Sequence, residues 1–435
     1  MKEKEFTINS RLFDHYLERM NFLNEISIDY PGAISFGSGR PDQHFFNVKE
    51  IHSSFHTFVS QGDPEGREDE DGAAYCNYLG QYNRTKGIIN DSIVKLLEND
   101  EGIKCRPEDI IMTDGAQEGM AIVINGLFES QDDVLLVSDP SYIGFVGYAK
   151  IYGVPICPVK RERDGIDPDH LEKSVLKLKK AGKNPKVLYE VPDFHNPTGG
   201  YLPLEKRKRL LELAETHNFL ILEDNPYGYF RYDVEKIPTL KAIDTRQRVI
   251  HLGSFSKTLF PSTRLGYILA DREIHTGGKK VKLIEELKKV KSFTTVNTST
   301  LLQAMVGGYL KQQDFSLKRS CAEIVAATRL KRDAMIEALH EQFRGNGSAY
   351  DAVTWNKPAG GFFLVIDIPF PMTEDLLKEC VERYSVIFCP VSFFCINEET
   401  GSRQIRLAFS NLSIEKIRTG IDRLAGFIKE KIASL

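Results

Sequence analysis

Ser254-Phe255-Ser256-Lys257-Thr258-Leu259-Phe260-Pro261-Ser262-Thr263-Arg264-Leu265-Gly266 follows the apolar run Val249-Ile250-His251-Leu252. The run has the length and make-up of a buried strand. The polar stretch therefore stands at a strand's carboxyl end. It offers a primary amine, flanking hydroxyls and, seven positions on, an arginine, closed by a glycine. A lysine that bonds covalently to an aldehyde cofactor needs this company, because the amine must be held partly neutral. Hydroxyls and a guanidinium beside it suit a phosphate. Lysine and arginine total 57 in this chain, so most of its lysines are solvated surface charge, and the case for Lys257 rests on what surrounds it.

The same apolar-run-then-polar-turn pattern recurs upstream. Ile110-Ile111-Met112, Val134-Leu135-Leu136-Val137, Val187-Leu188-Tyr189 and Phe219-Leu220-Ile221-Leu222 read as buried strands with helical segments between them, and Gly266-Tyr267-Ile268-Leu269-Ala270 as another. Such alternation specifies an α/β domain on a mostly parallel sheet flanked by helices. The stretch from Glu273 to Val290, rich in Lys, Glu and Leu, reads as a long helix leading out of it. Beyond it, Gly361 to Asp367, Ile405 to Phe409 and a closing helix from Ser413 suggest a small α+β domain. Expected divisions are an N-terminal segment over 1–75, a large domain over 76–310 and a small domain over 311–435. Leu12, Phe13, Tyr16, Leu17, Met20 and Leu23 recur at helical spacing between Arg11 and Ile26. They predict a helix packed on the body, or a lid over a site. The acidic, Gly- and Pro-containing stretch 61–72 reads as a solvated loop.

With 41% hydrophobic and 27% charged residues, 435 residues make a globular chain of a large domain plus a smaller one. A net charge of −4 argues against a nucleic-acid or membrane-surface protein. No stretch approaches the ~20 apolar residues of a membrane span. The seven cysteines, Cys76, Cys105, Cys157, Cys321, Cys380, Cys389 and Cys395, are scattered without a CxxC pair. They point to reduced thiols in the cytoplasm and to no metal site.

In parallel sheets ligands bind beyond the carboxyl ends of strands. After Met112 comes Thr113-Asp114-Gly115-Ala116-Gln117, where a glycine and a helix N-terminus favour an anion. After Val137 comes Tyr142, whose ring suits stacking on a planar group. After Glu190 comes His195-Asn196-Pro197-Thr198-Gly199-Gly200, a fixed turn that aims the Asn196 amide back over the strand ends. His195 reads as a solvated loop histidine. After Leu222 comes Glu223-Asp224-Asn225-Pro226-Tyr227, a carboxylate for a protonated pyridine nitrogen and a phenol for the same ring's oxygen. Lys257 completes the set.

With Asn-Pro-Thr-Gly, Ser-x-Ser-Lys with its trailing arginine, and Ile405-Arg406-Leu407-Ala408-Phe409, the chain resembles the pyridoxal-phosphate-dependent enzymes of fold type I. Within them it is most similar to the class I/II aminotransferases of the α-aminoadipate/kynurenine and aromatic subgroup. The resemblance runs from about Tyr82 to Arg406 and implies an aspartate-aminotransferase-like fold and pyridoxal 5'-phosphate as cofactor. It makes Lys257 the Schiff-base lysine and proton shuttle, pairs Asp224 with the pyridine nitrogen, and puts Asn196 and Tyr227 on the ring oxygen and Tyr142 on the ring. Ala116, Gln117, Ser254, Ser256 and Arg264 would hold the phosphate. Ala116, where relatives often carry serine, contributes only its N–H. Tyr82 resembles the tyrosine that reaches the neighbouring subunit's phosphate, which implies a homodimer. Arg406 resembles the arginine on the substrate α-carboxylate, and Gly39 the glycine lining the substrate site; Arg40 after it departs from the usual pattern. The implied reaction is ping-pong transfer of an amino group from an L-amino acid, aromatic or 2-aminoadipate-like, to a 2-oxo acid. C–S lysis, decarboxylation or oxidation on the same scaffold stays open, and more remotely a ligand-sensing regulator, though no basic recognition helix precedes the motifs.

Overall fold

The computed structural model describes residues 6–60, 73–345 and 350–435. The acidic stretch 61–72 lies outside these residues. Eight strands, numbered along the chain, form the large sheet: β1 Ile110–Thr113, β2 Asp133–Asp139, β3 Ile156–Glu162, β4 Gly165–Ile166, β5 Asn184–Glu190, β6 Leu220–Asp224, β7 Val249–Ser254 and β8 Gly266–Leu269. Their order in space is β1-β8-β7-β6-β5-β2-β3-β4. The run from β7 through β6, β5 and β2 to β3 is parallel, and β8 lies antiparallel between β1 and β7.

The strands β1, β2, β5, β6, β7 and β8 are buried on both faces, which is why they read as apolar runs rather than alternating ones; β3 near the edge is only partly covered. Leu136, Leu188 and Ile221 pack on one side with Leu171, Val175, Leu210 and Leu213, from the helices Pro168–Lys180 and Leu204–His217. Leu135, Val137, Val187 and Leu222 point the other way, to Met120 and Ile124 of the helix Ala116–Leu127 and Leu287 of the helix Leu283–Thr294.

The expected long helix over Glu273 to Val290 is not formed as such. Glu273–Thr276 and Lys279–Lys282 make an antiparallel hairpin, and the helix begins only at Leu283. The cause is Gly277-Gly278, both at positive φ (55° and 73°), a two-residue turn that matches strand twist and that other residues rarely adopt. The helix near the N-terminus likewise starts later than its spacing suggests. Asp14 caps it by accepting from the Tyr16 amide at 2.9 Å, so it runs His15–Asp29. Leu12 and Phe13 sit in a preceding 3-10 turn and are exposed rather than packed.

A second, four-stranded antiparallel sheet orders Thr354–Trp355, Phe363–Asp367, Gln404–Ala408 and Cys389–Pro390. The helices Ala322–Phe343, Glu374–Tyr384 and Ile414–Ala433 pack against it through Met335, Leu339, Leu377, Ile421 and Leu424. Ser413 caps the last of these. Near the N-terminus, Ile34–Ser35 pairs in parallel with Val386–Ile387, tying the leading segment to this small domain. Among the described residues six cysteines are free, and no helix is long and apolar enough to cross a membrane.

Candidate active site

β1, β7, β6, β5 and β2 all run the same way, so their carboxyl ends share one edge of the sheet. β8 runs against its neighbours and begins at that edge, which lands Arg264 between β1 and β7. A cavity of about 350 Å³ opens there, lined by Ala116, Gln117, Tyr142, Asn196, Asp224, Tyr227, Ser254, Ser256, Lys257, Arg264 and Arg406, among others. Residues far apart in sequence thus converge as expected. The helix His15–Asp29 adds Met20, Leu23 and Ser27 to the wall. It is also packed on the body: Arg19, 5% exposed, donates to the Ser392 carbonyl, pairs with Glu398 and lies on the rings of Tyr16 and Phe393.

One corner of the cavity is built for an anion. The helix Ala116–Leu127 starts behind Gly115, which has φ 78° and no side chain to cap the free N–H groups. A Cβ on Gly115 would lie 2.8 Å from Arg264 Nη2, and one on Gly266 2.9 Å from the Gly115 carbonyl carbon. Both glycines therefore permit the close approach of helix start, strand and guanidinium. Arg264 itself holds φ 46°, a left-handed conformation that is costly for a non-glycine residue. Ser254 Oγ accepts from the Ser256 amide at 3.2 Å, and Arg264 Nη1 reaches Ser256 Oγ at 3.5 Å.

Lys257 Nζ donates to the Gly39 carbonyl at 2.9 Å. Burial, with the nearby Arg264 and Arg406 charges, pulls its pKa down to about 8. Asp224, at the end of β6, accepts from the Tyr189 hydroxyl on Oδ2 at 2.8 Å, while its Oδ1 is buried without a partner. Burial lifts this carboxyl to about 6 against the opposing pull of the Tyr189 hydrogen bond. Behind it, Glu223 and His251 form a buried pair at 2.9 Å.

Arg406, 4% exposed, comes from the small sheet. Its Nη1 donates to Asn196 Oδ1 at 2.7 Å and its Nη2 to the Gly37 carbonyl. The guanidinium lies 4.5 Å and 4.7 Å from the ring centres of Phe363 and Phe394. Nη2 also meets Cys389 Sγ at 3.1 Å. These contacts hold a planar fork in one orientation. A side chain at Gly39 would put its Cβ 2.4 Å from Phe363 Cζ, so this position must stay bare.

Tyr142 is half-buried at the cavity wall with its phenol raised to about 12 by burial. Tyr227 is buried edge-on to Phe362 and Phe363, and burial raises its phenol as well. Tyr82 is not brought to this cavity: it is 79% exposed on the surface of the chain. His195 is a correction. It is fully buried rather than solvated, its Nδ1 is 3.1 Å from Thr198 Oγ1, and burial depresses its pKa strongly. The turn folds inward because His195 N–H donates to the Gly200 carbonyl at 2.8 Å. Sequence reading missed Tyr189, Phe363 and Phe394, while Met20 and Leu23 were read as part of a helix that packs on the body or covers a site, and here they do both. Tyr189 carried a signal as the polar tip that ends the apolar run Val187-Leu188-Tyr189; Phe363 and Phe394 are set by long-range packing.

An amine with a lowered pKa, a buried carboxylate and an anion corner thus share one edge of an α/β sheet. Residues 72–424 match the family aminotransferase class I and II, and the chain belongs to that family. It is 37% identical to the (S)-3,5-dihydroxyphenylglycine transaminase of Amycolatopsis orientalis, over 98% of this chain and 94% of that protein. The multiple substrate aminotransferase of Thermococcus profundus superposes with a TM-score of 0.84 at 27% identity, covering 99% and 98% of the two chains. The kynurenine aminotransferase of Pyrococcus horikoshii, solved in complex with PMP, gives 0.83 at 28%, covering 98% and 97%. The protein is an aminotransferase, and its fold is the aspartate-aminotransferase-like fold type I.

Proposed function

We propose that this enzyme carries pyridoxal 5'-phosphate at the strand-end cavity and uses it to move an amino group from an L-amino acid to a 2-oxo acid. The observation that carries this reading is Asp224 Oδ1, buried and unpartnered at the cavity that Lys257 also lines. An acceptor left without a donor costs about 1–3 kcal/mol or more, so it fits a site completed by a protonated ring nitrogen. The uncapped helix start with Gln117, Ser254, Ser256 and Arg264 fits a phosphate dianion. When bound, the cofactor supplies the aldehyde that receives the amino group and the ring that absorbs the charge left as the α-proton departs.

The chain's own groups then have these roles. Lys257 Nζ would anchor the cofactor covalently and, as a free amine, would carry the substrate's α-proton. Asp224 keeps the ring nitrogen protonated, with Tyr189 fixing which oxygen faces it. Asn196, whose Oδ1 is occupied by Arg406, has its amide nitrogen left to donate to the ring oxygen with the Tyr227 hydroxyl. Tyr142 stacks on the ring. Ala116 N–H, Gln117, Ser254, Ser256 and Arg264 hold the phosphate. Arg406 grips the α-carboxylate beside Gly39.

The names of the relatives support an aromatic donor, and Met20, Leu23 and Ile143 give the cavity an apolar wall suited to one. We place the enzyme in the cytoplasm as a homodimer. Exposed Tyr82, Phe293, Val296 and Leu301 support an intersubunit face that carries Tyr82 to the partner's phosphate, and a monomer in sedimentation equilibrium would remove that part. For the division into segments 1–75, 76–310 and 311–435, the support is a separate small core that holds Met335, Leu364, Leu377 and Ile421, although Leu317, Cys321 and Ile324 beyond residue 310 still pack in the large core. Limited proteolysis that spares both boundaries would oppose it.

The experiment is a half-reaction screen. Protein loaded with pyridoxal phosphate is mixed with single amino acids without oxygen, and cofactor and product are identified by mass. Pyridoxamine phosphate with the matching 2-oxo acid names the donor; an unchanged cofactor with every amino acid defeats the reading. Arg406→Lys should raise KM for the donor about 10–100-fold with a smaller change in kcat, because lysine loses the two-pronged contact and the place between Phe363 and Phe394. Unchanged kinetics would remove Arg406 from the site.

A further inference from the structure

Five charged residues line the cavity: Arg40, Asp224, Lys257, Arg264 and Arg406. Four are accounted for by the site described above. Lys257 and Asp224 serve the cofactor's carbon and ring nitrogen, Arg264 its phosphate, and Arg406 the substrate's α-carboxylate. Arg40 has no such counterpart. Its side chain has no ion pair or hydrogen bond among the described residues, although Arg40 stands on a backbone pinned on both sides. The Gly39 carbonyl accepts from Lys257 Nζ at 2.9 Å, and the Arg40 carbonyl accepts from Ser410 Oγ at 2.6 Å. The nearest carboxylate along the chain, Asp42, is already engaged by Lys331 at 2.5 Å and His44 at 2.7 Å. No carboxylate other than Asp224 lines the cavity, and Asp224 is buried at its floor.

Arg40 is exposed at the lip of a cavity that holds three further cations, and its guanidinium is free to take a partner. A further anion entering the cavity would find that charge unclaimed. We propose that Arg40 is the specificity residue for the substrate's far end: it receives a carboxylate at the end of the side chain of the amino acid or 2-oxo acid. This rests on the reading of Arg406 as the α-carboxylate site. Met20, Leu23 and Ile143 would cover the carbons between the two acids, and the same wall takes an aromatic ring without using Arg40. One cavity thus serves an apolar substrate in one half-reaction and a diacid in the other.

The test compares 2-oxoglutarate with 2-oxohexanoate, an open-chain 2-oxo acid with no charge at its far end, as amino acceptors for the holoenzyme. Wild-type kcat/KM should favour the diacid. In Arg40→Ala the ratio of the two kcat/KM values should fall about tenfold, the loss expected for one charge-assisted contact at a partly exposed site. Added salt should shrink the wild-type ratio towards that of the variant. Arg406→Lys acts on the carboxylate that both acids share, so it should weaken both and leave the ratio in place. A ratio unchanged in Arg40→Ala, or a wild type that does not distinguish the two acids, overturns the Arg40 inference. Full activity of Arg406→Lys with both acids overturns instead the site reading beneath it.

Discussion

Lys257→Ala should lose turnover by at least about 10⁴-fold while the protein stays folded. On the proposed role two functions would go at once, the covalent anchor and the proton carrier, and general-base catalysis alone accounts for about 10²–10⁴. The fold should tolerate the change. Lys257 Nζ makes one hydrogen bond to protein, to the Gly39 carbonyl, and its ammonium form is held at a cost that the lowered pKa records. The thermal midpoint should shift by no more than about 3 °C in either direction. Two readouts separate a chemical defect from a structural one. A small primary amine added to the variant should restore part of the activity, because the cavity is left intact around the missing base. In the wild type freed of cofactor, capture of pyridoxal phosphate should speed up as pH rises and level off above about 8, since only the neutral amine attacks. At pH 7 an amine of pKa about 8 is neutral in about one molecule in ten, against about one in three thousand for an ordinary lysine. Turnover retained by Lys257→Ala, or capture that is flat through pH 8, would defeat the assignment.

How far the sequence carried can be argued residue by residue. Lys257, Asp224 and Asn196 were legible because each follows an apolar run at a fixed short distance, and strands of one parallel sheet must end on one edge. Arg406 was legible through its motif, but what holds it was not. Val365 and Cys389 both pair with Arg406 in the small sheet, so Phe363, two residues from Val365, and Cys389 share its face. That register cannot be read from separate strands. Phe394 and the wall from Met20 and Leu23 take their places by packing between separate segments: periodicity found Met20 and Leu23 as one helix face and left open whether that face covers the body or a site. The hairpin over residues 273–282 shows the opposite fault: a lysine- and glutamate-rich composition outweighed Gly277-Gly278, where backbone freedom decides the structure. His195 was misplaced for a related reason. A loop histidine is usually solvated, but this one is folded inward by the turn's own hydrogen bonds.

Asp224→Asn should separate activity from stability more sharply than any other substitution in the site. The replacement is isosteric, and its oxygen can still accept from the Tyr189 hydroxyl that now lies 2.8 Å from Oδ2. What it would lose, on the proposed role, is the charge that keeps the ring nitrogen protonated. Removing one preorganised electrostatic partner of the reacting group costs about 10²–10³ in kcat, and a loss of that size is expected here. Stability without cofactor should be unchanged or higher, because the substitution removes a buried charge whose Oδ1 has no partner. The pH behaviour follows from the sign of the shift. Burial raises the carboxyl to about 6, so in the cofactor-free protein it is ionised above that pH and neutral below it. Affinity for pyridoxal phosphate should therefore weaken as pH falls through 6 in the wild type, and Asp224→Asn should lack that limb. A variant that keeps more than about a tenth of wild-type kcat would remove Asp224 from the ring nitrogen, since the smallest loss compatible with the role is about 10²-fold. A thermal midpoint that falls steeply together with kcat would make the residue a structural anchor, and the unpartnered oxygen would then need another explanation.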